Sequence, residues 1–380
     1  MASKRRTRVV VAGQTPPPPS GMHVMVKAAL DHLGTDPDLD VLHLRCTFSA
    51  RMEDHHRPAV GKLVEVARVV FRQVSIRARG RIDVTLYPVG GTSFSSTIRD
   101  ILVLPVILLC SRRTVLHFHG AGHEDVWSER TWWMRAAARL YRLCDRAIVM
   151  TPYNRRGPDA LGMSDVVVVP HQLEDMTSSA SMQDPRPSRA IRFLYVGHLG
   201  DQRRTSELVA AFASVAADNP NVELHLVGRP VPPYTDDDLA AAVAASNAAG
   251  QIVVEPELLG DAKWQAFADA SWFVFPSVFE CESFGLVLAE ALMFGLPVVL
   301  TDWRGNLDVV DETCDREVID PGSSEFVPRV AEALRRAARR TEEGLGRSEA
   351  NRQRYLEHYA RPQDWGLRSA LLAPPLVDDP

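Results

Sequence analysis

The chain has 380 residues, 46% hydrophobic and 24% charged, with a formal net charge of -5. This composition excludes a disordered chain, leaves room for two domains, and provides no global attraction to nucleic acid. Five scattered cysteines (Cys46, Cys110, Cys144, Cys281, Cys314) form no CxxC pair, which argues against a disulfide framework or a zinc site and for a reducing, cytoplasmic setting.

The start, MASKRRTRVVVAG, is basic, but its apolar run is too short for a signal peptide and passes straight into a strand pattern. Short β-branched runs then alternate with room for crossover helices. Residues 8–13, 41–44, 83–89, 114–120, 147–152 and 166–170 read as buried parallel strands of a doubly wound α/β domain. PPPPS at 16–20 is a stiff loop before a helix opening near Gly21. No GxGxxG follows RVVVAG, which weakens a dinucleotide-binding assignment. The triplet DLD at 38–40 has the form of a metal-binding DxD, but it sits just before a strand and such triplets are common.

The segment 61–81 mixes an apolar stripe with Arg68, Arg72, Arg77, Arg79 and Arg81; it suits anionic lipid, an anionic acceptor to be guided, or equally a solvated helix face. ILVLPVILLC at 101–110 is half the length of a membrane span and reads as a buried helix. The polar, Ser- and Pro-rich stretch 171–190 breaks the rhythm. The expected organisation is therefore a domain over 1–172, a linker over 173–189, a second domain over 190–360, and a tail over 361–380. A second strand series occupies 191–197, 222–228, 251–256, 272–277 and 297–302. DDD at 236–238 supplies acidic residues to the first turn of a helix.

The stretch FECESFGLVLAEALMFGLPVV, from Phe279, carries the candidate chemistry. Glu290 is the one polar side chain between Gly285 and Phe294, and Gly295 and Pro297 end the helix that holds it. A buried carboxylate needs a partner. Glu282 stands eight residues earlier, and if all eight were helical they would span about 12 Å, the size of a sugar diphosphate. Between them, SFGL places backbone N–H groups at a helix N-terminus, an anion site. One carboxylate could face a sugar, the amides a diphosphate, and Glu290 two ribose hydroxyls. The plainer alternative pairs Glu290 with an arginine.

Residues 276–310, PSVFECESFGLVLAEALMFGLPVVLTDWRGNLDVV, closely resemble the donor motif of family 4 retaining glycosyltransferases, and the similarity covers nearly the whole chain. The resemblance implies the GT-B fold, two Rossmann-like doubly wound domains facing across a cleft, with the tail crossing back to the first domain. It implies that Glu282 contacts the transferred sugar, that Ser283, Phe284, Gly285 and Leu286 bind the donor through its phosphates, and that Glu290 holds the ribose. LHFHG places His119 where the family has a histidine beside the reacting sugar; His117 is assigned to the other face of the strand. YVGHLGDQRRTSELVAAF resembles the phosphate clamp, Gly-Arg-Leu, three residues, then Lys. Here His198 replaces the arginine and Arg203 the lysine, with Arg204 beside it, so which arginine meets the phosphate stays open. The altered N-terminal glycine loop leaves Gly13 and Gly21, of which Gly21 opens the helix and is the candidate acceptor or phosphate-loop residue.

His119, Glu282 and Arg203 are thus the expected catalytic residues. The implied reaction moves a hexose, with retention, from UDP-hexose or GDP-mannose to a hydroxyl of a glycan, lipid-linked or small-molecule acceptor, without metal or cofactor. The implied setting is cytoplasmic, with peripheral contact at the inner membrane face left open. Two alternatives stand beside it: a GT-B-fold sugar-nucleotide epimerase, and a catalytically impaired nucleotide-sugar-binding protein.

Overall fold

The computed structural model describes residues 5–16, 21–46, 59–89, 91–127, 131–180, 190–361 and 365–374. The chain divides into two compact units: Met1–His171 with Gln363–Pro380, and Gln172–Pro362. Of the expected linker, residues 181–189 lie outside the described residues, while Leu173 belongs to the second unit, exchanging backbone bonds with Tyr359 and Arg361 at 2.8 Å.

The first unit is built on β1 (Thr7–Gly13), β2 (Leu39–Arg45), β3 (Ile82–Val89), β4 (Ser111–Phe118), β5 (Arg146–Val149) and β6 (Val166–Val168). They form a parallel sheet in the order β2-β1-β3-β4-β5-β6. The valines of β1 are buried on both faces, which is why its sequence is a continuous apolar run and not an alternation. The 101–110 segment completes the helix Phe94–Cys110. It buries Val103, Leu104 and Ile107 but exposes Leu109, because a helix lying on a sheet covers only one stripe of its surface. Among the described residues no helix is long and apolar enough to cross a membrane.

The tail helix Leu367–Leu372 belongs to this first unit. Buried Arg146 holds it: the guanidinium donates to Asp165 at 2.9 Å, to the Ala370 carbonyl at 2.7 Å and to the Pro374 carbonyl at 2.9 Å. The Trp365 indole donates to the Pro170 carbonyl at 2.9 Å.

The second unit contains β7 (Ile191–Val196), β8 (Val222–Val227), β9 (Ile252–Glu255), β10 (Trp272–Phe275), β11 (Val298–Thr301) and β12 (Arg316–Ile319). These are parallel, in the order β12-β11-β10-β7-β8-β9. The sequence pattern did not reveal β12: as an edge strand its REVI segment is half exposed and has no apolar run. Chain order reverses between β7 and β10, which makes that junction the switch point where open α/β sheets bind ligands.

Candidate active site

Neighbouring strands β7 and β10 bring together two loops that are far apart in sequence. A 3-10 turn, Asp201–Arg203, follows β7, and residues 277–285 follow β10. A backbone bond from Val278 N–H to the Gln202 carbonyl, 2.8 Å, ties them. Fully buried Ser277 is the anchor: its hydroxyl accepts from Arg203 Nη1 at 2.7 Å, and its carbonyl accepts from Thr301 at 2.6 Å. The Trp303 indole donates to the Phe279 carbonyl at 2.8 Å, fixing the far side of the loop.

On this frame Arg203 forms an ion pair with Glu282 through Nη1, and its guanidinium lies 4.2 Å over the Phe279 ring. Burial opposes the charge on Arg203, but the adjacent Glu282 and Tyr195 more than compensate, so its pKa is raised. The guanidinium is thus a permanent cation held at the switch point. Among the described residues its side-chain acceptors, Ser277 and Glu282, both use Nη1.

The other two clamp candidates are placed differently. Arg204 adopts a left-handed backbone, φ 55°, and its side chain goes to Glu207 at 2.9 Å and over Phe326 at 4.8 Å. His198 is half-buried, and burial together with Arg203 and Arg229 pushes its pKa down to about 4. It is therefore neutral near pH 7. Of the three, only Arg203 reaches Glu282.

Gly285 has φ 60°, a left-handed conformation in which an added Cβ would also sit 3.0 Å from Leu288. This turn starts the helix Leu286–Met293 late, so Glu290 lies just past its first turn and the eight residues from Glu282 are not all helical. The leading amide of Leu286 lies at the helix N-terminus, outside the helix's own ladder. Ser283 and Phe284 are buried beside them, Phe284 packing edge-on against Tyr359 at 5.3 Å. Buried Glu290 takes a lysine partner, where an arginine was the expected structural one. Its Oε1 accepts from Lys263 Nζ at 2.5 Å, while its buried Oε2 meets no donor among the described residues. Lys263 gave no sequence signal: it lies in DAKW, 27 residues from Glu290, and the two meet only through packing.

In the first unit, β4 ends at Phe118 and delivers a histidine cluster. The His117 and His119 rings are 4.0 Å apart, with His171 5.8 Å from His119. This corrects the assignment of His117 to the opposite face, since residues two apart along a strand share a face. Burial, then His171, lowers the His117 pKa to about 3; burial, then His117 and His23, holds His119 well below the usual range. A histidine kept neutral by the fold opposes acid: below about pH 6.5 the unfolded chain takes up the proton first, so stability falls as pH drops. For His117 this amounts to about 2 kcal/mol at pH 5. Urea unfolding at pH 7.5 and pH 5 should show His117→Gln narrowing the stability gap by about that amount. An unchanged gap would remove His117 as a contributor.

Gly21 is the exposed first residue of the helix Gly21–Gly34, and residues 17–20 lie outside the described ones. Gly13 is the constrained glycine of that region: φ is 140° and an added Cβ would stand 2.8 Å from Val26. In the DLD triplet, Asp40 pairs with Arg8 at 2.6 Å and the Asp38 carbonyl accepts from Thr7 at 2.9 Å, both within the strand framework.

Residues 177–347, all inside the second unit, match the family model described as glycosyl transferases group 1. No curated protein matches the sequence. Among solved structures the chain is similar to sucrose-phosphate synthase from Thermosynechococcus elongatus, with a TM-score of 0.73 and 15% identity over 93% of this chain and 95% of that one. It is similar to Anabaena HepE in complex with UDP, with a TM-score of 0.67 and 16% identity over 93% and 96% of the two chains. The α,α-trehalose-phosphate synthase (UDP-forming) from Burkholderia xenovorans, in complex with glucose-6-phosphate, matches at a TM-score of 0.67 and 14% identity over 96% and 99%. At these identities the likeness shows the fold: two parallel-sheet units of the GT-B class. The family match, carried on that fold, supports glycosyl transfer.

Proposed function

We propose that the chain is a retaining hexosyltransferase that takes its sugar from UDP-hexose or GDP-mannose and delivers it to a hydroxyl of a glycan, lipid-linked or small-molecule acceptor. The observation that carries this is the buried Oε2 of Glu290, which meets no donor among the described residues while Oε1 is held by Lys263. A pair of ribose hydroxyls supplies the donors such an oxygen needs. Leu286 and the amides around it would take the diphosphate, and Glu282 the hexose.

In the reaction the bond between the anomeric carbon and the phosphate oxygen breaks and the acceptor oxygen bonds to that carbon. The acceptor proton passes to the departing phosphate, on the face it leaves. Arg203 and the helix amides answer the charge that develops on the leaving group, so no metal is required of the mechanism. His119 is assigned to the sugar's side of the reaction, and Gly21 to the acceptor side. Neutral His198 favours a second reading, a nucleotide-sugar-binding protein with impaired turnover, because one clamp cation is missing.

Incubation with UDP-glucose, UDP-galactose, UDP-N-acetylglucosamine and GDP-mannose and a panel of acceptors, followed by mass spectrometry, decides among the readings. A new glycoside with unchanged yield in EDTA is expected. A new sugar nucleotide would mean epimerisation, and bound donor without product would mean a binding protein. Loss of activity in EDTA restored by magnesium would return the DLD triplet to consideration. Repeating the assay with and without anionic vesicles tests a membrane-held acceptor. The helix Ala59–Ala78 suits one, exposing Leu63, Val64, Phe71 and Val74 among arginines.

A further inference from the structure

We infer that Lys263 is a positioning residue for nucleotide recognition: it holds one oxygen of Glu290 so that the other is presented to the ribose hydroxyls. This rests on the proposed donor site and adds a residue to it.

The geometry is set by rigid elements. Gly260, at φ 58°, turns the chain into the helix Asp261–Asp269, and Lys263 lies in its first turn, its amide donating to the Gly260 carbonyl at 3.1 Å. The next residue, Trp264, stacks on Phe294 with an interplanar angle of 16°. Phe267, one turn further on, stacks on the same ring with centroids 5.8 Å apart. Phe294 directly follows the helix that carries Glu290, so this aromatic stack locks the two helices together. The Lys263 ammonium is confined further, 4.7 Å over the Trp264 ring.

Of the roughly four lone-pair directions of a carboxylate, Lys263 therefore fills one on Oε1, and Oε2 stays buried without a donor among the described residues. Removing the ammonium would leave both oxygens without a donor among the described residues. Glu290 could then turn within its site, and the ribose would lose a fixed acceptor. A purely structural ion pair would make a different difference: its loss would lower stability without changing how ribose and deoxyribose are told apart.

The test is calorimetric binding of UDP, GDP and their 2′-deoxy counterparts to the wild-type chain and to Lys263→Met and Lys263→Gln, with thermal unfolding of each free protein. The wild type is expected to prefer one ribonucleotide over its deoxy form by about tenfold or more, the worth of a hydrogen bond to a charged acceptor. Lys263→Met should bring that preference to within about threefold. Lys263→Gln, which keeps a donor for Oε1, should retain more of it and provides the comparison if the Met variant does not fold.

A Met variant, or failing that a Gln variant, with the full wild-type preference overturns the inference. So does equal weakening of the ribo and deoxy forms. A wild type that binds these nucleotides without preference refutes the ribose contact. One that binds neither diphosphate refutes the donor site itself.

Discussion

Arg203→Ala is expected to cut sugar transfer by about a hundredfold to a thousandfold, the usual cost of losing one preorganised donor to a developing charge. The contact strengthens as the diphosphate departs, so turnover should suffer more than ground-state binding of the donor. Binding of the bare nucleoside should be nearly unchanged, because it lacks phosphate. Arg203 also holds Glu282 and Ser277, so its removal leaves a half-buried carboxylate without its cation. Arg203→Lys separates the two effects, since it keeps a charge beside Glu282 but loses the flat fork that can serve the carboxylate and a phosphate together. Arg204→Ala should have a much smaller effect, because its guanidinium is engaged with Glu207 and Phe326. Steady-state kinetics on folded variants is the check. Transfer by Arg203→Ala within about threefold of wild type would rule out the clamp.

Glu290→Gln should weaken binding of the nucleotide sugar and of the free nucleoside diphosphate alike, by roughly tenfold to a hundredfold. The variant keeps the shape of the side chain and a carbonyl oxygen for Lys263, but replaces the charged acceptor with a neutral amide. Both ligands share the ribose, so the loss should be the same for each and independent of the sugar transferred. Calorimetric titration of the variant with both ligands measures it. Undiminished affinity in a folded variant would leave Glu290 as the buried half of an ion pair with Lys263 and nothing more.

The sequence by itself determined the class of fold, because parallel strands buried on both faces must be written as continuous β-branched runs. RVVVAG, WFVFPS and PVVLTD could hardly be anything else. It also singled out Glu282, Glu290 and the SFGL turn, since these lie within one local stretch whose glycine, apolar run and helix stop are legible residue by residue. The edge strand REVI escaped because exposure on one side removes the apolar run. The late start of the Glu290 helix escaped because it depends on the conformation of Gly285, which composition does not state.

Only the tertiary structure decided which groups meet. Arg203 and Glu282 are 79 residues apart and pair because β7 and β10 are neighbours at the point where strand order reverses. Arg204 parts from Arg203 at a single left-handed residue that sends its side chain to Glu207. Lys263 reached Glu290 through an aromatic stack between two helices, and His171 joined His117 and His119 from beyond the next strands. Partners of this kind are set by packing between distant segments, and no local pattern of residue types records them.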